Sequence, residues 1–110
     1  MARAKPAAPQ ASDRVLTLHP AGKNGVNIER DKYEEMRRAI LRIVPRSSRG
    51  VLLSELADTL PHELDRAIFG PRVSVTWYLV AVKQDLEARG EIEIVPDAKP
   101  QRLRRVRRSK

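Results

Sequence analysis

The spacing of apolar positions divides the chain into segments of different period. Tyr33, Met36, Ile40, Ile43 and Val44 fall on one face of a helix. Asp31 reads as its N-cap, with Glu34 three residues later as capping-box partner, and both acids suit the positive end of the helix dipole. Pro45 stops this helix because it lacks an N–H and restricts the residue before it. A shorter second helix is predicted over residues 51–60, with Leu53, Leu56, Ala57 and Leu60 as its buried stripe and Pro61 as its end. Leu64, Ala67 and Ile68 fit a further helical turn or two before Gly70-Pro71 breaks the pattern. The third helix is predicted from about Ser74, its N-cap, to Arg89, with Gly90 at C′. Val75, Tyr78, Leu79, Val82 and Leu86 form its stripe. Trp77, Val80 and Ala81 widen it, which predicts a central helix touched on several sides.

Two segments alternate instead. Val15-Leu16-Thr17-Leu18 predicts a short strand, followed by a loop from His19 to Gly25. After Gly90 the period drops to two in Glu91-Ile92-Glu93-Ile94, the mark of a half-buried strand. Pro96-Asp97-Ala98-Lys99-Pro100 is turn chemistry, and residues 101–106 return as a second strand with Leu103 facing the same way as Ile92 and Ile94. The expected fold class is α+β, mainly helical, with a C-terminal β-hairpin.

Composition places limits on this picture. A chain of 110 residues suits one domain. Residues 1–14 read as an N-terminal arm, rich in Ala and Pro over its first twelve positions; 15–106 read as the domain and 107–110 as a basic tail. Without cysteine there is no disulfide and no thiolate chemistry. No apolar run approaches the roughly 20 residues of a membrane span, and the start has no apolar core of a secretory signal. The expectation is a cytoplasmic protein, nucleoid-associated if it binds DNA.

The net charge is +8, and its distribution is uneven. Lys99, Arg102, Arg104, Arg105, Arg107, Arg108 and Lys110 follow one another without an acid, whereas residues 15–98 carry 12 basic and 13 acidic side chains. A basic end on a neutral body points to a polyanionic partner or to a solubilising terminus.

The order helix, helix, long helix, hairpin resembles the winged-helix superfamily over about residues 28–106. The likeness is carried by Leu53-Ser54-Glu55-Leu56-Ala57, by Asp85-Leu86-Glu87-Ala88-Arg89-Gly90 and by Ile92-Glu93. It implies that the third helix and the wing are the surfaces to inspect. The chain also resembles a family of short bacterial proteins, a domain of unknown function. The matching residues are His19-Pro20, Asp31-Lys32-Tyr33, Trp77-Tyr78, residues 82–90 and Lys99-Pro100-Gln101-Arg102-Leu103. That resemblance carries no activity with it.

Catalytic chemistry finds little support. His19 and His62 each stand beside a proline, and Glu63 and Asp65 near His62 read as solvated connector charges rather than metal ligands. Ser54 and Ser74 have no base or oxyanion hole placed for them. Ala21-Gly22-Lys23-Asn24-Gly25 lacks the spacing and the Lys-Ser/Thr pair of a phosphate loop and reads as a turn. The expectation is a protein that is not an enzyme and uses no cofactor and no metal. Its leading function is association with nucleic acid, duplex DNA first, through phosphate contacts from Lys99, Arg102, Arg104, Arg105, Arg107 and Arg108. Arg72, Ser74 and Thr76 are the polar candidates at the start of the third helix, where Lys83, Gln84 and Arg89 are offset by Asp85 and Glu87. The alternative is a protein-interaction or dimerisation module that uses Trp77, Val80 and Ala81.

Overall fold

The computed structural model of the chain describes residues 14–70 and 74–106. Their order is β1 (Arg14–Leu18), β2 (Asn24–Glu29), α1 (Arg30–Ile43), β3 (Val51–Leu52), α2 (Leu53–Glu63), α3 (Val75–Ala88), β4 (Ile92–Ile94) and β5 (Arg102–Arg105). They make an α+β fold of three helices and two small antiparallel sheets, β1-β2 and β3-β5-β4. Among the described residues no helix is long and apolar enough to cross a membrane.

The core lies between the helices and is mostly aliphatic. Met36 and Ile40 of α1, Leu56 and Leu60 of α2, and Val82 and Leu86 of α3 are all buried, as the helical spacing predicts. Ile92 and Leu103 bring the second sheet to the same core. Each such side chain contributes roughly 1.5–3 kcal/mol through the apolar surface it removes from water. Phe69, which the spacing did not single out, closes the end of the core, edge-on to Tyr78 at 5.2 Å.

The expected third helix is found with both its signals. The Ser74 hydroxyl accepts the Trp77 N–H at 3.2 Å, and Gly90 takes φ +77, a conformation that suits glycine at C′. The helix is central on one side only: Leu79, Val82, Asp85 and Leu86 are buried, but Trp77 and Val80 are each 47% exposed.

Four expectations need correction. Residues 19–25 are not one loop: Asn24 and Gly25 already belong to β2, which pairs with β1 through Val15↔Ile28 and Leu16↔Asn27. Because β2 runs directly into α1, the N-cap is Glu29 and not Asp31. No side chain caps the helix, and Glu34 pairs with Arg30 rather than closing a capping box. Val51 and Leu52 are not helical: they pair with Leu103 and Arg102 as a third strand beside the β4-β5 hairpin, so α2 begins at Leu53. Pro61 does not end α2, which runs on to Glu63. The proline sits in the last turns, where its missing N–H leaves only the Ala57 carbonyl without its helical partner.

The C-terminal hairpin is present in the expected place, with Ile94 opposite Leu103. Ile92 and Leu103 are buried, but Ile94 is 44% exposed, because the helices do not cover that end of the sheet.

Candidate nucleic-acid interface

β5 is the middle strand of its sheet, and its arginines reach back to the connector between α1 and β3. Arg102 Nη1 donates to the Gly50 carbonyl at 3.3 Å and Arg104 Nη1 to the Ser48 carbonyl at 3.0 Å. The Arg105 backbone N–H donates to the Pro45 carbonyl at 2.8 Å, and its Nη1 lies 3.5 Å from the Leu41 carbonyl. Gly50 makes this contact possible. Its φ is +72, and a Cβ there would stand 2.4 Å from the Leu103 backbone oxygen.

The connector itself carries Arg46 and Arg49, both exposed and without a hydrogen bond or ion pair among the described residues. Arg46, Ser48, Glu93, Arg104, Arg105 and Val106 line a surface pocket of about 400 Å³. Glu93 is the one carboxylate in that lining, and it faces Arg104 across the strands at 2.5 Å. The result is a convergence of guanidinium groups with a single local acid. Elsewhere in the fold most cations have carboxylate partners, as in Arg37–Glu91, Arg38–Glu35, Lys83–Glu87 and Arg89–Asp85.

Residues 14–103 match a family of unknown function, DUF6958. The chain belongs to that family. No curated protein and no solved structure gives a significant match. The DUF6958 region includes the connector arginines and Arg102 and stops at Leu103, so Arg104 and Arg105 follow directly after it.

The candidate residues on this DUF6958 chain fall in separate places. Arg104 and Arg105 line the pocket, Arg102 lies beside it on β5, and Lys99 is exposed in the turn between β4 and β5. Ser74 and Thr76 belong to the start of α3 and do not line the pocket; the Ser74 oxygen is used in capping. Arg72, Arg107 and Arg108 lie outside the described residues, as do the N-terminal segment 1–13 and Lys110. Arg46 and Arg49 are the addition. In sequence they belong to a turn-rich connector, and the hydrogen bonds from β5 bring that connector to the C-terminal hairpin. Among the described residues, no group of three His, Asp or Glu side chains is placed to hold a metal ion.

A second surface lies on α3. Thr17, Gly25, Val26, Thr76, Trp77, Val80, Ala81 and Gln84 line a groove of about 340 Å³ between the β1-β2 hairpin and the helix. It brings Trp77, Val80 and Ala81 together, and no charged side chain lines it. The Trp77 ring stands edge-on to Tyr78 at 4.9 Å. The cations of α3 are engaged elsewhere: Lys83 pairs with Glu87 at 2.5 Å and Arg89 with Asp85 at 2.8 Å.

The hairpin is held against α3 by a polar cluster that sequence reasoning missed. Asp85, read there only as an offsetting charge, is fully buried. Its Oδ1 accepts the Leu18 N–H at 2.8 Å, and its Oδ2 accepts Tyr33 Oη at 2.5 Å and Arg89 Nε at 2.8 Å. Burial, then the hydrogen bond to Asp85, pushes the Tyr33 hydroxyl up to about 12. The same Asp85 carboxylate raises the affinity of Arg89 for its proton. The cluster ties β1, α1 and α3 together and fixes the wall of the groove.

Proposed function

We propose that this chain is a non-catalytic protein that holds the phosphate backbone of nucleic acid, duplex DNA first, on the arginine face of the connector and β5. The observation that carries this reading is the set of bonds from β5 arginines to the Gly50, Ser48 and Pro45 carbonyls of the connector, which brings the segment bearing Arg46 and Arg49 beside Arg102, Arg104 and Arg105. Guanidinium groups suit phosphate oxygens because they are planar, always charged and rich in donors. Each phosphate they neutralise releases condensed counterions, which drives binding at low salt. Lys99 extends the face along the turn, and the chain continues past Val106 with Arg107, Arg108 and Lys110.

The element order from α1 to β5, with β3 added to the terminal hairpin, supports the winged-helix reading. The exposed side of α3 does not favour base recognition. Its accessible residues are Thr76, Trp77, Val80, Ala81 and Gln84, which is poor in the long donors that read base edges. The proposal is therefore backbone contact with little sequence preference.

The test is fluorescence anisotropy on labelled random duplex DNA across a salt series. With about five phosphates neutralised, log K is expected to fall against log salt with a slope of about −4 to −5. Replacing Arg46, Arg49, Arg102 and Arg105 together by Gln is expected to abolish binding. Full affinity in that variant rejects the assignment.

A second reading concerns the α3 groove, for which we propose a second copy of this chain as occupant. The chain carries a net charge of +8, yet the groove lining is uncharged, so two copies can meet there without bringing like charges together. Light scattering is expected to show a dimer insensitive to salt and weakened by Trp77→Ala. A monomer at all concentrations rejects this occupant.

A further inference from the structure

The arginine face carries its own counter-anion. Glu93 and Arg104 are directly opposed in the β4-β5 register, with Nε and Oε2 2.5 Å apart. We infer that Glu93 is an internal stand-in for a phosphate: it occupies Arg104 in the free protein and gives it up when a phosphate enters the pocket. This inference rests on the polyanion reading above and names the device that regulates it.

Three observations support exchange at this position. Glu93 is the more accessible partner of this half-buried pair, 43% exposed against 25% for Arg104, so the carboxylate can swing out without opening the core. The water-facing carboxylate is screened by solvent, which lowers the cost of displacing it. Arg104 is also anchored independently of Glu93, because its Nη1 is held by the Ser48 carbonyl at 3.0 Å. The guanidinium therefore keeps its place after the carboxylate leaves, with Nε freed for an incoming oxygen.

The surroundings of the pair complete the argument. Arg46 and Arg105 line the same pocket and have no carboxylate partner among the described residues, and Ser48 offers a hydroxyl. An entering phosphate meets the exposed Arg46 guanidinium first and competes with Glu93 for that of Arg104. Glu93 thus opposes an anion in two ways, by its charge at the mouth of the site and by occupying a donor. A carboxylate and a phosphate oxygen use the same edge of a guanidinium, so the exchange replaces one charge-assisted hydrogen bond by another of the same kind.

The experiment compares wild type, Glu93→Gln and Asp97→Asn on the same random duplex DNA. Glutamine keeps an acceptor for Arg104, so the strand pairing is retained while the charge is lost. Asp97 lies in the turn beyond β4, outside the pocket lining, at φ +62, a conformation that asparagine tolerates. Its substitution changes net charge equally without touching Arg104. Glu93→Gln is expected to bind more tightly than either of the other proteins and to add about 0.9 to the magnitude of the salt slope. Over a fourfold rise in salt its affinity then falls roughly threefold further than that of wild type. Asp97→Asn is expected to leave the slope unchanged. Equal behaviour of the two variants, or of Glu93→Gln and wild type, overturns the role given to Glu93 and leaves the polyanion reading standing. Absence of binding by all three proteins at low salt overturns the polyanion reading, and the role of Glu93 falls with it.

Discussion

Tyr33 Oη donates to Asp85 Oδ2 at 2.5 Å, joining α1 to α3 across 52 positions of sequence. The same carboxylate accepts the Leu18 N–H and the Arg89 guanidinium, so one buried anion satisfies three donors from separate parts of the fold. Removing a partner from a buried charged network leaves the others unsatisfied, at about 3–5 kcal/mol. Asp85→Ala is expected to lose stability in that range by urea unfolding. Asp85→Asn keeps the volume but turns one acceptor into a donor facing donors, and is expected to fall between Ala and wild type. Wild-type stability in Asp85→Ala would remove the cluster from any structural role.

Alkaline titration probes the same cluster from its other member. The Tyr33 hydroxyl ordinarily ionises near 10 and in the fold is pushed up to about 12. A raised folded value means that the neutral hydroxyl stabilises the fold fully below pH 10 and progressively less as pH rises through 12. In a Tyr78→Phe background, phenolate absorbance is expected to appear near pH 12 in the folded protein and near pH 10 in urea. The unfolding free energy is expected to decline between these limits by on the order of 2 kcal/mol.

Acid has its own sensor. Glu35 is buried on α1, where two hydrogen bonds from Arg38 hold its carboxyl below the usual value of 4.5, helped by the Asp65 backbone N–H at 2.8 Å. A lowered folded value gives stability that is complete above about pH 4.5 and is lost as pH falls through the folded value. Urea unfolding of wild type is expected to weaken across that window. Glu35→Gln is expected to be less stable at neutral pH and to show a flatter dependence on acid.

Gly50 links stability to the arginine face. Alanine there meets both the strain of φ +72 and a contact of 2.4 Å with the Leu103 oxygen, so the connector must move away from β5. Gly50→Ala is expected to destabilise by about 1–3 kcal/mol. It is also expected to weaken DNA binding and to flatten the salt slope, because Arg46 and Arg49 are displaced with the connector. Unchanged binding in a folded Gly50→Ala protein would show that these two arginines take no part.

How much of this was legible in the sequence follows from how local each signal is. The Ser74 cap, the Gly90 terminus and the alternation after it lie within a few residues of what they determine, and α3 and the β4-β5 hairpin stand where they point. Val26 and Ile28 also alternate with Asn27 and Glu29, a signal of β2 hidden behind the glycines and asparagine before it. β3 is different. Two residues cannot announce a strand, and Val51-Leu52 becomes one because Leu103 and Arg102 arrive beside it. Asp85 looks like any helical surface acid until Leu18, Tyr33 and Arg89 surround it. Arg46 and Arg49 likewise gain meaning only from carbonyl contacts made by a strand some fifty residues away. The helical stripes were local and readable, whereas the connector's part of the candidate interface was a product of long-range pairing.

The strand order β3-β5-β4 places the last described strand in the middle of its sheet. During synthesis β3 and β4 emerge first, and neither has a sheet neighbour until residues 102–105 follow. A ribosome-bound chain stopped after β4 therefore holds the helices' apolar stripes but two unpaired strands and a connector with nothing to rest on. Non-local pairing of this sort forms late. On the proposed reading, the arginine face is accordingly the last part of this fold to assemble, complete only when β5 joins β3 and β4.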